Sequence, residues 1–465
     1  MNDYISRRNA LKTASAGFGY LAFAGLSTSN AAQISSKAAT NPLAPKKPHF
    51  PAKAKRVIFL CMRGGPSHVD TFDYKPQLYK DDGKPSRFRG NYLRPQWEFK
   101  QRGENGLWIS ELLPEISKHA DDLCLIRSMN CDQPVHPRAL TQMHTGNAQF
   151  VRPSLGAWTL YGLGTENDSM PGFISLNPPA GAAQNHGSAF LPAVYQGTVI
   201  GGNRSRRGTP GRRRREAPSG QVPDIKSSKF NATQQRQQLD LIQALNNEKL
   251  KREKEHPGVE GVIESFELAF RMQDEMPKLM DLSKESRDTL ELYGVGRGND
   301  SFARQCLLAR RFAESGVRFI EVSHGNWDHH ANLSTALPQR CNEIDGPISG
   351  LLTDLKQRDL LKDTLVIWGG EFGRTPFAQG GNGRDHNNKG YTTWMAGGGV
   401  QGGLSYGSTD DYGYEAIEDS CHIHDWHATI LHLLGLDHQR LTYRYAGRDF
   451  RLTDVAGNVA KKIIA

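Results

Sequence analysis

Carboxylates and imidazoles gather in three short stretches of the C-terminal half, and side chains of these two types brought to one place can hold a divalent metal. The stretches are Trp327-Asp328-His329-His330, Glu371-Phe372-Gly373-Arg374 and Arg384-Asp385-His386. Their oxygen and nitrogen donors suit Zn²⁺, Mn²⁺ or Fe, and the carboxylates also admit Ca²⁺. Taken singly, an Asp-His pair more often caps a helix or joins a surface ion pair. Three such pieces point to a site. Arg374 has two readings: a bidentate clamp for an oxyanion or a partner for Glu371.

The elements before these stretches decide whether the side chains can meet. Residues 317–322 and 364–368 read as buried strands, and in a parallel α/β sheet ligands sit at the C-terminal strand ends. A first strand is expected over 56–62, an unbroken apolar run of the parallel type. It opens into a turn with Gly64 and Gly65, where backbone can approach a ligand closely; Ser67, His68 and Asp70 lie on this turn. A second unit comprises a helix over 113–120, a strand over 123–126 and a turn ending at His136. The helix over 138–144 should stop at Gly146. His68 and His324 sit at strand-end turns. His144 reads as a structural residue near a helix C-terminus, and His427 and His432 as packing residues of the last helix. His424 precedes that helix as an N-terminal or supporting residue.

With 465 residues the chain can bury a large core. The formal charge of +9 suggests nucleic acid, but it is local. The arginine cluster at 204–215 contributes seven positive charges against Glu216, and the N-terminal segment three against Asp3. Without them 48 basic and 47 acidic residues remain. No aromatics interleave the arginines, as a single-strand binder would need, so no nucleic-acid partner is expected. Residues 201–226 read as a disordered insertion and 231–293 as a helical excursion. None of the six cysteines shows C-x-x-C spacing, so cysteine-ligated zinc is not expected, although an oxidising compartment would permit disulfides. Ser6-Arg7-Arg8-Asn9-Ala10-Leu11-Lys12, a weakly hydrophobic stretch and Ser29-Asn30-Ala31 resemble a twin-arginine signal peptide over 1–32. A flexible leader follows over 33–54. That resemblance implies the twin-arginine translocase as a partner during export, a periplasmic or secreted location, and no transmembrane segment in the mature form.

The motifs "GGPSHVDTFDYKP", "GNWDHH", "WGGEFGRTP", "GRDHN" and "HATILHLLGLDHQRLTYRYAGRDFRLTD" together resemble the secreted domain-of-unknown-function family 1501, over roughly residues 55–455. The resemblance places the chain in the alkaline phosphatase and sulfatase-like superfamily. It implies an α/β fold, a three-layer αβα sandwich with a mostly parallel central sheet. Position by position, Asp328 falls where the superfamily has a metal-binding Asp, with His330, or alternatively His329, near the His that follows it. Glu371 stands for a second-metal Asp, with Phe372 in place of the adjacent His. His386 matches the late metal His, with Asp385 beside it. Arg63 occupies the place of the first metal Asp, so Ser67, His68 or Asp70 would have to substitute. His136 falls in the nucleophile slot, and Cys131-Asp132-Gln133-Pro134-Val135 does not fit the sulfatase signature.

Two functions follow as expectations. One is an exported metal-dependent hydrolase of phosphate or sulfate esters, with an anionic ester or polysaccharide substrate; His136, Arg374 and Ser67 would act on it. The other is a secreted or envelope binding protein that keeps the fold without catalysis.

Overall fold

The computed structural model describes residues 41–179, 181–201, 230–253, 257–298 and 300–465. The segments expected to be a signal peptide (1–32) and an arginine-rich insertion beyond Gly201 lie outside the described residues. The apolar run Arg56–Met62 forms β1, buried along its whole length, as a strand covered on both faces requires. In chain order the next strands of the central sheet are β2 (Leu123–Asn130), β3 (Phe173–Leu176), β4 (Thr198–Ile200), β5 (Phe319–His324) and β6 (Thr364–Gly369). A hairpin of β7 (Gly373–Gln379) and β8 (Gly383–Asn387) precedes β9 (Tyr391–Ala396), β10 (Leu404–Tyr406) and β11 (Cys421–His422).

The central sheet runs β10-β2-β9-β6-β1-β5-β3-β4, with β11 beside β2. Neighbours are parallel except around β9, which is antiparallel to both β6 and β2. The C-terminal ends of β1, β2, β5 and β6 therefore share one edge. Helices α1 (His136–Thr145), α2 (Leu155–Leu163), α3 (Ala232–Glu253), α4 (Pro257–Met280), α5 (Ser301–Glu314), α6 (Leu333–Gln357) and α7 (Ile423–Leu433) complete the frame. On one sheet face Phe59 of β1 meets His144 of α1 and Trp426 of α7, with ring centroids 5.7 Å apart in each pair. On the other, Phe302 of α5 meets His324 at 5.0 Å. Glu321 and His324 of β5 alternate between these faces, and the result is a three-layer αβα sandwich.

Helix α1 ends at Gly146 in a left-handed C-cap with φ 69°. Helix α7 starts with a capping box: His422 accepts from the backbone of the first turn, and Asp425 accepts from His422 N. His427 on α7 is fully buried, with its ring bonded to Met143 O at 2.7 Å. The excursion is built of α3 and α4, tied by a bidentate Arg236–Glu267 pair. A short helix, Arg287–Tyr293, follows and docks on α6 through Tyr293 and Asp354, 3.0 Å apart. The described part of the leader, residues 41–54, differs from the flexible segment expected. Lys46 N bonds Leu163 O, His49 N bonds Gly435 O, and Lys53 N and Ala54 N bond Leu433 O, so it straps α2 to α7.

Three histidines are held neutral by burial: His427 with its pKa lowered to about 3, and His324 and His329 to about 4. The unfolded chain protonates them near pH 6.5 while the native state does not, so stability falls with pH at about 1.4 kcal/mol per unit for each. His136 and His144 are shifted upward: burial opposes this, but Glu371 and Glu321 respectively outweigh it. Their contribution is complete below about pH 6.5 and is lost only above it, so it does not offset the acid loss. Denaturant midpoints should fall steeply from pH 6.5 to 5, and His427→Gln should flatten the profile. An unchanged slope in that variant would contradict the assignment.

Candidate metal centre

Four turns at the shared edge build the site. The turn after β1 contains Gly64 at φ +113°, where a Cβ would come within 2.7 Å of Asp328 N and 2.8 Å of Trp327 N. Glycine there lets the turn lie against the one following β5, and Gly64 N–H donates to both carboxylate oxygens of Glu371 at 3.0 and 3.2 Å. Beyond β5, Asn326 adopts a left-handed conformation with φ 67°. Trp327 is fully buried and donates its indole N–H to His324 Nδ1 at 3.0 Å. These two residues pin the loop and turn Asp328 into the site. Glu371 follows β6, His136 opens α1, and His386 lies on β8.

His136, Asp328, His330 and His386 each bring a ligand-type atom to within 4.8 Å of the others. The three imidazoles are tied at Nδ1: His136 to Glu371 Oε1 at 2.6 Å, His386 to Pro134 O at 2.7 Å, and His330 to Gln379 Oε1. Acceptor oxygens at all three Nδ1 positions place a proton on Nδ1, so Nε2 is the nitrogen that offers a lone pair when the ring is neutral. All three Nε2 atoms converge on one carboxylate oxygen, Asp328 Oδ1, at 3.2, 3.4 and 2.9 Å for His136, His386 and His330. His330 Nε2 and His386 Nε2 lie 2.9 Å apart. Two lone pairs at that distance repel unless a proton or a cation lies between them. Nε2 of His136 is buried with no hydrogen-bond partner among the described residues. This donor set fits a divalent ion, and the oxygen on each Nδ1 is the support that metal-binding histidines normally have. Three nitrogens and one oxygen suit Zn²⁺ and argue against Ca²⁺, which takes six to eight oxygens.

The electrostatics agree for Asp328 and His386, whereas His136, where burial is outweighed by Glu371 and the pKa is shifted upward, must release a proton to bind an ion. Burial raises the pKa of Asp328, but the Arg374 hydrogen bond and charge, with His136, outweigh this and hold the carboxyl well below its usual range. Burial, aided by Arg374, lowers His386 and keeps its ring neutral.

The remaining expected residues are placed as follows. Glu371 supports His136 and is 2% exposed, rather than facing the ion directly. Arg374 pairs with Asp328 at 2.6 Å, not with Glu371, and also donates to Gly64 O, Gly65 O and Arg384 O. Four of its five N–H donors are committed, which leaves little for an oxyanion clamp. Asp385 sits half-exposed at the rim, 3.9 Å from His330 Nδ1. Ser67, His68 and Asp70 stand apart from the group and are buried. Asp70 forms a bidentate pair with Arg384 at 2.7 and 3.0 Å and accepts from Ser67. His68 bonds Gly413 O at 2.7 Å and accepts from Arg374 N at 3.4 Å. None of the three replaces the missing first Asp, because each is already satisfied in the wall behind the site. Gln379 and the Pro134 carbonyl escaped the sequence reading. Their roles come from the hairpin register and a loop carbonyl, which leave no residue-type signal.

The fold and site define an α/β protein with a histidine-rich metal-type centre at the C-terminal edge of its sheet. The chain belongs to the family described as protein of unknown function (DUF1501), whose model matches residues 54–464. No curated protein matches the chain. Among solved structures, Ps i-CgsB overlaps with TM-score 0.35 and 10% identity, over 82% of this chain and 72% of that one. PsFucS1 sulfatase from Pseudoalteromonas sp. overlaps with TM-score 0.33 and 12% identity, over 83% and 68%. Alkaline phosphatase from the Antarctic bacterium TAB5 overlaps with TM-score 0.35 and 12% identity, over 83% and 99%. Overlap at this level carries no argument about activity.

Proposed function

We propose that His136, Asp328, His330 and His386 hold one divalent ion and that the protein is a hydrolase of phosphate or sulfate esters dependent on it. The observation that carries the reading is the convergence of three oriented Nε2 lone pairs on Asp328 Oδ1 in a partly exposed site. When bound, the ion supplies Lewis-acid polarisation of an ester oxygen. The chain does the rest. Glu371 supports the His136 ring at Nδ1, and Arg374 keeps Asp328 ionised and oriented. The motif resemblance supports an anionic ester, including that of a polysaccharide, as substrate. The twin-arginine-like start supports a place outside the cytoplasmic membrane. Among the described residues no helix is long and apolar enough to cross a membrane.

One observation favours the binding-protein reading. His136 occupies the nucleophile slot and has both nitrogens engaged, Nδ1 with Glu371 and Nε2 toward the ion position. The test is a panel of phosphate and sulfate monoesters, assayed on the metal-loaded, the chelated and the reloaded protein. Turnover that disappears on chelation and returns on reloading is expected. A fully loaded protein inactive on both ester classes, yet retaining sulfated or phosphorylated polysaccharide, would establish the alternative.

A further inference from the structure

A second group of ligand-type side chains lies buried in the protein interior, between the central sheet and α1. Cys61 of β1, His144 of α1 and Glu321 of β5 bring one ligand atom each to within 4.8 Å of one another. They are 0%, 4% and 1% exposed. The sheet register explains the meeting. Phe59 pairs with Glu321 and Cys61 with Ser323, so Cys61 and Glu321 are diagonal neighbours on one face, the face that α1 covers.

His144 is prepared as a ligand. Its Nδ1 bonds Leu140 O at 2.7 Å, which makes Nε2 the nitrogen that offers a lone pair when the ring is neutral. That atom faces Glu321 Oε2 at 3.4 Å, and neither has a hydrogen-bond partner among the described residues. The other oxygen of Glu321 accepts from Ser323 Oγ at 3.2 Å. A buried carboxylate oxygen and a buried ring nitrogen that meet only each other, at 3.4 Å and outside hydrogen-bond geometry, are incompletely satisfied. A bare ion pair would account for their charges but not for the unbonded geometry or for the thiol beside them.

We infer that Cys61, His144 and Glu321 form a second, wholly buried site for a borderline-soft divalent ion such as Zn²⁺, with a structural role. Thiolate, imidazole and carboxylate are the three side-chain ligands this ion takes. The Leu140 carbonyl and Ser323 hydroxyl supply the outer support such ligands need. Because the site is closed to solvent, the ion enters during folding and links α1 to β1 and β5. Cysteine spacing hides the site, since its three ligands come from separate elements.

The experiment uses the full chain produced with Co²⁺ in place of the native metal. The centre proposed above contains no sulfur, so a thiolate-to-cobalt absorption in the near ultraviolet reports the buried site alone. It should be present in the wild type and in Asp328→Ala and absent in Cys61→Ser. Glu321→Gln should lose one equivalent of metal while the external site stays loaded. Should Cys61→Ser fail to fold, the wild-type spectrum decides. No thiolate band in the wild type, or a band that survives Cys61→Ser, overturns the inference and leaves a His144–Glu321 ion pair. Neither result bears on the ester-hydrolase reading, which Asp328→Ala tests separately.

Discussion

Asp328→Asn and His386→Ala should each fold and lose the ion of the external site, with any ester hydrolysis lost alongside it. Asp328 is the carboxylate on which three imidazoles converge, and it lies on a partly exposed loop rather than in the core. Asparagine keeps an acceptor for Arg374 and removes the charge, so the cation at 1% exposure retains a hydrogen-bond partner. Glu371→Gln should act more weakly, reducing metal affinity by about 10–100-fold, the usual effect of removing the carboxylate behind a metal-bound histidine. Metal analysis against the wild type, with circular dichroism to confirm folding, reads all three variants. Full metal content in Asp328→Asn would remove the basis of the proposed function.

Asp70→Ala should be among the most destabilising single changes in the molecule. It leaves the Arg384 guanidinium, 0% exposed, without its counter-charge. Breaking a buried pair on one side costs about 3–5 kcal/mol, because the remaining charge cannot reach water. Arg384 also donates to Thr375 O and Leu93 O, which softens the loss but does not neutralise the charge. Denaturant unfolding measures the change. The fraction that stays folded should bind the external metal normally. The reverse pattern, with metal lost and stability kept, would return Asp70 to the role of a ligand that the sequence first suggested.

The contrast between Asp70 and Asp328 shows which part of the site was legible in the sequence. Both are acidic residues in turns after buried strands, and residue type cannot separate them. What separates them is Arg384, which lies 314 positions from Asp70 and reaches it through the β7–β8 hairpin. The strands were legible because unbroken apolar runs such as 56–62 allow few other readings. The metal group was legible because Asp328, His330 and His386 lie close to strand ends. The role of Glu371 was not. It depends on a Gly64 conformation that brings a backbone N–H to its carboxylate, whose Oε1 also meets His136. The leader failed in the same way: a composition of Ala, Pro and Lys says nothing about carbonyls at Leu163, Leu433 and Gly435 waiting to be bonded.

The β7–β8 hairpin has a consequence of its own. Its pairing shifts register between Arg384 and His386, with Arg384 opposite Ala378 and His386 opposite Arg374. At its turn, a Cβ on Gly383 would collide with the His330 carbonyl. Arg374, Gln379, Arg384 and His386 thus take their directions from one short ribbon. Side chains along a strand alternate sides, so adding or removing one residue there would turn all of those beyond it to the opposite face. The chain can exchange residue types around this centre more readily than it can change the length of the ribbon, and the spacing between Arg374 and His386 acts as the ruler by which the centre is measured out.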